Sequence, residues 1–297
     1  MNFQKYLNNL PALDNKKVII TGANSGIGFE CASLVLKLNG NLVMACRNKQ
    51  RALKAKEKLN SLYPDKEIDI ILYDQSSLQS IKSFVNEITI NHSDFYALFL
   101  NAGVYHPGEI KETQDKFPIT VGTNYISNLF LIDLLKPFLD KANEEKRIIV
   151  QGSLASRLSF KKVDILDNTQ TAFKQYCLSK FALYNLFAEC NENNSNKLVK
   201  YLYVEPGITN SNITRNFPKA FRLIGSAFLK TFMMSTSKAA LTGTSAIALE
   251  LGGGDCILPR GVFRITGFPK IFKIKRKYTS SLYLEQGREV LSKWQEH

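Results

Sequence analysis

The sequence predicts a doubly wound α/β fold, a parallel sheet with helices on both faces. Three observations carry the prediction. Six short apolar runs rich in β-branched residues recur between Lys17 and Val204. Helix-length segments separate them, and this strand–helix alternation is the mark of a parallel, doubly wound sheet. A glycine-rich loop, Thr21–Gly28, follows the first run directly and opens a helix-like segment.

The strands are expected at Lys17–Thr21, Asn41–Cys46, Ile68–Tyr73, Phe95–Leu100, Arg147–Val150 and Val199–Val204. Each is almost continuously apolar, as a strand covered on both faces should be. Lys49–Leu62 and Leu78–Ile90 are long enough for helical crossovers, which the handedness rule makes right-handed. Two regions after the sixth strand fall outside the alternation. Residues 210–237 interleave aromatic and basic side chains where such a fold can place a lid over its strand ends. Residues 255–297 carry Pro259, Pro269 and the run KIFKIKRK, and read as an atypical basic C-terminal extension. With no internal repeat, low-complexity segment or linker, residues 1–297 are expected to form a single domain.

Composition narrows the function classes. Apolar content of 44% and charge of 22% are those of an ordinary globular chain. The five cysteines, Cys31, Cys46, Cys177, Cys190 and Cys256, are scattered and form no CxxC, so neither a disulfide framework nor a zinc site is expected. His92, His106 and His297 lack metal-ligand spacing. The N-terminal residues hold no apolar core of signal-peptide length, and no stretch reaches the roughly 20 apolar residues of a membrane span. Reduced thiols then suggest the cytoplasm. The net charge of +13 is uneven, since Lys200–His297 carries 15 Lys/Arg against 6 Asp/Glu. Basic and aromatic residues at 268–277 suit a peripheral membrane contact; the plainer alternative is a basic surface strand or loop, and no specific nucleic-acid partner is expected.

The glycine loop has the residues a dinucleotide needs. Gly22 permits a tight turn, Gly26 lets the backbone approach a pyrophosphate at the helix N-terminus, and Gly28 allows close packing of helix on sheet. Asn24, Ser25 and Ile27 complete the loop. At the end of the second strand, an acidic residue would bond the adenosine ribose 2′-hydroxyl. Arg47 stands there instead, where it can pair with a 2′-phosphate, so NADP(H) is expected over NAD.

Tyr176 and Lys180 lie four residues apart on a predicted helix, hence on one face. A phenol is a poor base near neutrality, and a neighbouring ammonium is expected to lower its pKa. The pair can then protonate an alkoxide or deprotonate an alcohol. Ser153, just past the fifth strand, can hold a substrate oxygen against the tyrosine. Asn124, in an apolar helical stretch, can hold a water that feeds protons to Lys180.

These motifs together resemble the short-chain dehydrogenase/reductase family, with its Rossmann-type fold. TGANSGIG matches the family's glycine loop, Asn101-Ala102-Gly103 its NAG element, and Asn124, Ser153, Tyr176 and Lys180 its catalytic tetrad. Asp74 matches the acidic residue beside the adenine, Pro206-Gly207 the turn after the sixth strand, and Thr209 a contact to the carboxamide end of the cofactor. ACRN at Ala45–Asn48, GTN at Gly122–Asn124 and YCLSK at Tyr176–Lys180 are most similar to the retinol dehydrogenase and protochlorophyllide reductase-like group.

The resemblance implies NADP-dependent hydride transfer to or from an apolar carbonyl or alcohol, and a homodimer. It also implies that Tyr176 and Lys180 contact the cofactor, and that residues 210–237 shape the substrate pocket. Phe217, Phe221, Phe228 and Phe232 then suggest a hydrophobic substrate. Two departures stand out: Tyr125-Ile126-Ser127-Asn128 follows where the group has histidine and glycine, and Gln151-Gly152 replaces valine-serine. The alternative is a catalytically idle NADP-binding sensor or scaffold, which has little need for a complete tetrad.

Overall fold

The computed structural model describes residues 2–108, 112–158, 164–167, 169–209, 233–275 and 281–296. Eight strands form one sheet in the order β3-β2-β1-β4-β5-β6-β7-β8. They are β1 (Lys17–Thr21), β2 (Asn41–Cys46), β3 (Ile68–Leu72), β4 (Ala97–Leu100), β5 (Lys146–Gln151), β6 (Val199–Val204), β7 (Asp255–Pro259) and β8 (Pro269–Lys273). The first seven pair in parallel, and β8 runs antiparallel to β7. The chain order reverses between β1 and β4. In open α/β sheets, ligands sit in the crevice that such a reversal leaves at the carboxyl ends of the strands.

Apolar continuity in the strands follows from a core on each face. Ile19, Leu98, Leu100, Ile148 and Val150 face one cluster, while Val18, Ile20, Ala97, Phe99 and Ile149 face the other. The helices Lys49–Leu62 and Leu78–Asn91 are the expected crossovers, each N-capped by a side chain, Asn48 and Ser77.

The sheet has two more strands than the six apolar runs suggest. The segment 255–297 is not wholly an appendage: its first five residues complete the parallel sheet, and Pro269–Lys273 closes the edge. Both strands escape pattern recognition for physical reasons. Pro259 and Pro269 pair at the strand ends, the positions that tolerate a missing N–H. On β8, Lys270 and Lys273 are exposed while Phe272 packs on the core; lysines on an edge strand discourage pairing with another chain. The basic run is thus partly sheet edge, and residues 276–280 lie outside the described residues.

The C-terminal helix Leu282–Gln295 packs on helices Ser127–Asp140 and Ala172–Glu192. Tyr125 Oη donates to the Tyr283 carbonyl at 2.8 Å, and a Cβ on Gly287 would come within 2.9 Å of that hydroxyl. Arg288 pairs with Glu189 at 2.6 Å. The first departure from the resembled group is therefore structural: Tyr125 anchors this helix. Most of the expected lid, residues 210–232, lies outside the described residues. Its exit is described, where Met234 bridges to Thr209 and Ser235 caps the helix Thr236–Ala248.

Candidate active site

The glycine loop adopts the conformation its residues permit. Gly22 and Gly26 have φ of +68° and +57°, a region other residues rarely adopt. A Cβ on Gly28 would lie 2.4 Å from the Gly22 carbonyl oxygen, so helix and loop meet there without a side chain. A Cβ on Gly26 would meet nothing within 4 Å, leaving the loop's outer surface open. Ser25, the N-cap of helix Gly26–Lys37, makes no side-chain cap bond. The open surface and that helix N-terminus fit a pyrophosphate. Asn24 and Ile27 are half-buried beside it.

Two contacts tie the loop to its surroundings. Asn101 Nδ2 donates to the Thr21 carbonyl at 2.8 Å, and the Ala102 N–H donates to Thr21 Oγ1 at 2.9 Å. At the end of β2, the Cys46 thiol is bonded by the Asn24 and Ala23 amides, though burial pushes its pKa up to about 11. Arg47 follows with an exposed side chain, and Asp74 accepts from the Ser76 N–H and hydroxyl at 2.9 and 2.7 Å.

Two of the four expected tetrad residues, Asn124 and Lys180, meet at Gly103. A Cβ there would sit 3.2 Å from Asn124 Oδ1 and 3.4 Å from Lys180 Nζ. Tyr176 and Lys180 share the buried face of helix Ala172–Glu192, with Phe181 and Phe187 packed into the core beside them. The Tyr176 phenol hydrogen-bonds Ser153, and the Tyr105 ring meets it edge-on at 5.7 Å. Lys180 Nζ donates to the Gln151 carbonyl at 3.0 Å. Gly207, φ +73°, makes the turn after β6; there a Cβ would be 2.3 Å from the Ile265 carbonyl oxygen. Pro206 precedes it, and Thr209 is buried two residues on.

Two expectations change. The ammonium was expected to lower the tyrosine pKa. Burial instead pushes Tyr176 up to about 12, outweighing the Ser153 hydrogen bond, and pulls Lys180 down to about 8. Asn124 lies in a π-helical turn, Gly122–Ile126, and its side chain is engaged by protein. Oδ1 accepts from the Val104 N–H at 2.7 Å, while Nδ2 donates to the Val104 carbonyl at 2.8 Å and Ser179 Oγ at 3.1 Å. The amide therefore fastens the segment after the NAG element to the tetrad helix. Sequence reasoning missed the structural partners Thr21, Gln151 and Tyr105. Thr21 opens the glycine loop and Gln151 lies two residues before Ser153, but spacing does not reveal a bonding carbonyl or hydroxyl.

A family model for short chain dehydrogenase matches residues 16–221. The chain belongs to the short-chain dehydrogenase family. Within it, the chain falls in the retinol dehydrogenase-like group. It is 27% identical over 275 residues to mouse retinol dehydrogenase 14, covering 84% of this chain and 82% of the relative. A shorter match, 37% over 150 residues, is to chloroplastic protochlorophyllide reductase of Chlamydomonas reinhardtii, covering 49% of this chain and 37% of that one. Among solved structures, an uncharacterized protein from Mycobacterium paratuberculosis superposes with a TM-score of 0.74 at 20% identity, covering 96% and 97% of the two chains. The Pseudomonas aeruginosa RhlG/NADP active-site complex gives 0.64 at 20% identity, covering 80% and 91%. This family member is an oxidoreductase acting on alcohol or carbonyl groups. Among the described residues no group of His, Cys, Asp or Glu is placed to hold a metal ion, and no helix is long and apolar enough to cross a membrane.

Proposed function

We propose that the protein is an NADP(H)-dependent reductase or dehydrogenase of an apolar carbonyl or alcohol, with Tyr176 as the proton-transfer residue. The observation that carries this is the buried Tyr176 phenol, bonded to Ser153 and one helical turn from Lys180, whose Nζ lies against Gly103 of the NAG element that fastens to the glycine loop. A nicotinamide cofactor, when bound, would supply the hydride chemistry. Tyr176 Oη gives its proton to the substrate oxygen in reduction and takes it back in oxidation. A pKa near 12 suits the acid role, because the phenol keeps its proton until an alkoxide forms. Ser153 Oγ orients the substrate oxygen. Lys180, held by the Gln151 carbonyl one helical turn from Tyr176, would present its charge to the cofactor ribose. Asn124 keeps Val104 and the tetrad helix in register.

Gly22, Gly26 and Gly28 would hold the cofactor's pyrophosphate, Asp74 its adenine, and Pro206, Gly207 and Thr209 its carboxamide. Exposed Arg47 supports the preference for a 2′-phosphate. The lipophilic alcohol in the names of the mammalian relatives and the edge-on Tyr105 ring support an apolar substrate.

The test is a screen that follows NADPH absorbance with lipophilic and polar carbonyls side by side. Tyr176→Phe should lower kcat by about a hundredfold or more while NADPH still binds. Full turnover in that variant rejects the assignment.

A further inference from the structure

Gly152 lies between two residues of the site: Gln151, whose carbonyl receives Lys180, and Ser153, which bonds Tyr176. The space its side chain would fill belongs to the next strand. A Cβ on Gly152 would fall 1.9 Å from Tyr203 Oη and 2.0 Å from its Cζ. Tyr203 stands on β6 in register with Val150 and is 1% exposed. Its ring meets Tyr184 edge-on at 5.0 Å and Phe187 at 5.4 Å.

A phenol buried so deeply needs partners for its hydroxyl. The Ser153 backbone N–H donates to it. The hydroxyl in turn donates toward Ser156 Oγ at 3.3 Å and Glu205 Oε1 at 3.5 Å. Glu205 is itself buried and pairs with Arg157 at 2.5 Å, and Arg157 reaches on to the Phe263 carbonyl at 2.7 Å. One hydroxyl thus links the Ser153 amide to a buried carboxylate at the start of the Glu205-Pro206-Gly207 turn.

We infer that Tyr203, anchored by Glu205 and Arg157, is a positioning residue that fixes the Ser153 backbone and so aims Ser153 Oγ at Tyr176. The inference rests on the proposed roles of Ser153 and Tyr176. It also explains Gly152 as the complement of Tyr203. Ser153 Oγ is shared, since it also accepts from the Ala155 N–H at 3.2 Å to cap the turn Leu154–Arg157. With the anchor gone, the serine can settle on the cap and lose its aim, and small displacements of a substrate-orienting group are costly in rate.

The experiment is a double-mutant cycle in the full chain, with decanal and NADPH as probes. Tyr203→Phe keeps the ring against Gly152 and removes only the hydroxyl. It should lower kcat about five- to tenfold, the worth of one hydrogen bond, with NADPH affinity unchanged. In a Ser153→Ala background the same change should have no further effect. A wild-type kcat in Tyr203→Phe, or an equal loss in both backgrounds, overturns the inference. Tyr176→Phe measured alongside separates the two ideas: activity there defeats the proposed chemistry, whereas an inactive Tyr176→Phe with a fully active Tyr203→Phe defeats only the positioning role. Amide exchange of residues 151–157 needs no substrate. Faster exchange at Ser153 in Tyr203→Phe, with β5 unchanged, is the expected result, and unchanged exchange overturns the inference.

Discussion

Lys180→Met should make the protein inactive and, without cofactor, more stable at neutral pH. Lys180 is 3% exposed, and burial alone pulls its pKa from 10.5 down to about 8. Below pH 8 the folded chain carries a charged amine that burial disfavours, so the penalty is fully present. Between about pH 8 and 10.5 the unfolded chain binds more protons than the folded one, and stability rises with pH. The displacement corresponds to about 3 kcal/mol as a ceiling. Methionine preserves the aliphatic length but loses the bond to the Gln151 carbonyl, which costs about 1 kcal/mol. A net gain of about 1–2 kcal/mol at pH 7 follows, shrinking as pH approaches 10. Urea unfolding of the cofactor-free protein at pH 7 and pH 9.5 measures it through the midpoint at unchanged slope. A variant less stable than wild type at pH 7, or a stability gap that ignores pH, refutes a buried, destabilising ammonium.

Two further predictions concern the cofactor cradle. Arg47→Ala should weaken NADPH binding about tenfold, in line with one exposed charge-assisted contact, and leave NADH binding unchanged; fluorescence titration with both cofactors decides it, and an equal loss for both removes the 2′-phosphate role. Gly28→Ala puts a Cβ 2.4 Å from the Gly22 carbonyl and 2.5 Å from Asn101 Nδ2. It should cost about 1–3 kcal/mol and abolish NADPH binding, read by urea midpoint and titration; wild-type affinity would show that the loop adapts.

The legible parts of this protein are those written in short-range patterns. Val18, Ile19 and Ile20 alternate between the two cores, so β1 reads as a buried strand from its residues alone. The same holds for the crossover Lys49–Leu62, whose bounds match its apolar spacing and Asn48 cap. Tyr176 and Lys180 share a buried helix face because helical periodicity places residues four apart on one side. The glycine loop is legible because positive φ and close approach leave few alternatives to glycine. Strand β8 was hidden, since exposure of Lys270 and Lys273 depends on its lying at the edge, a fact of sheet order rather than composition.

Local chemistry therefore specified the fold class, the glycine loop and the shared helix face of Tyr176 and Lys180. Three-dimensional packing settled the rest, because it depends on groups far apart in the chain. The Tyr176 phenol rises to about 12 because the core around it excludes water, which no i to i+4 spacing can express. Gly152 is required by Tyr203, which on the adjacent strand occupies the space a side chain there would fill. Tyr125 likewise makes sense only against Tyr283, 158 residues away. Backbone preference is encoded residue by residue, whereas burial and partner choice are properties of the folded whole.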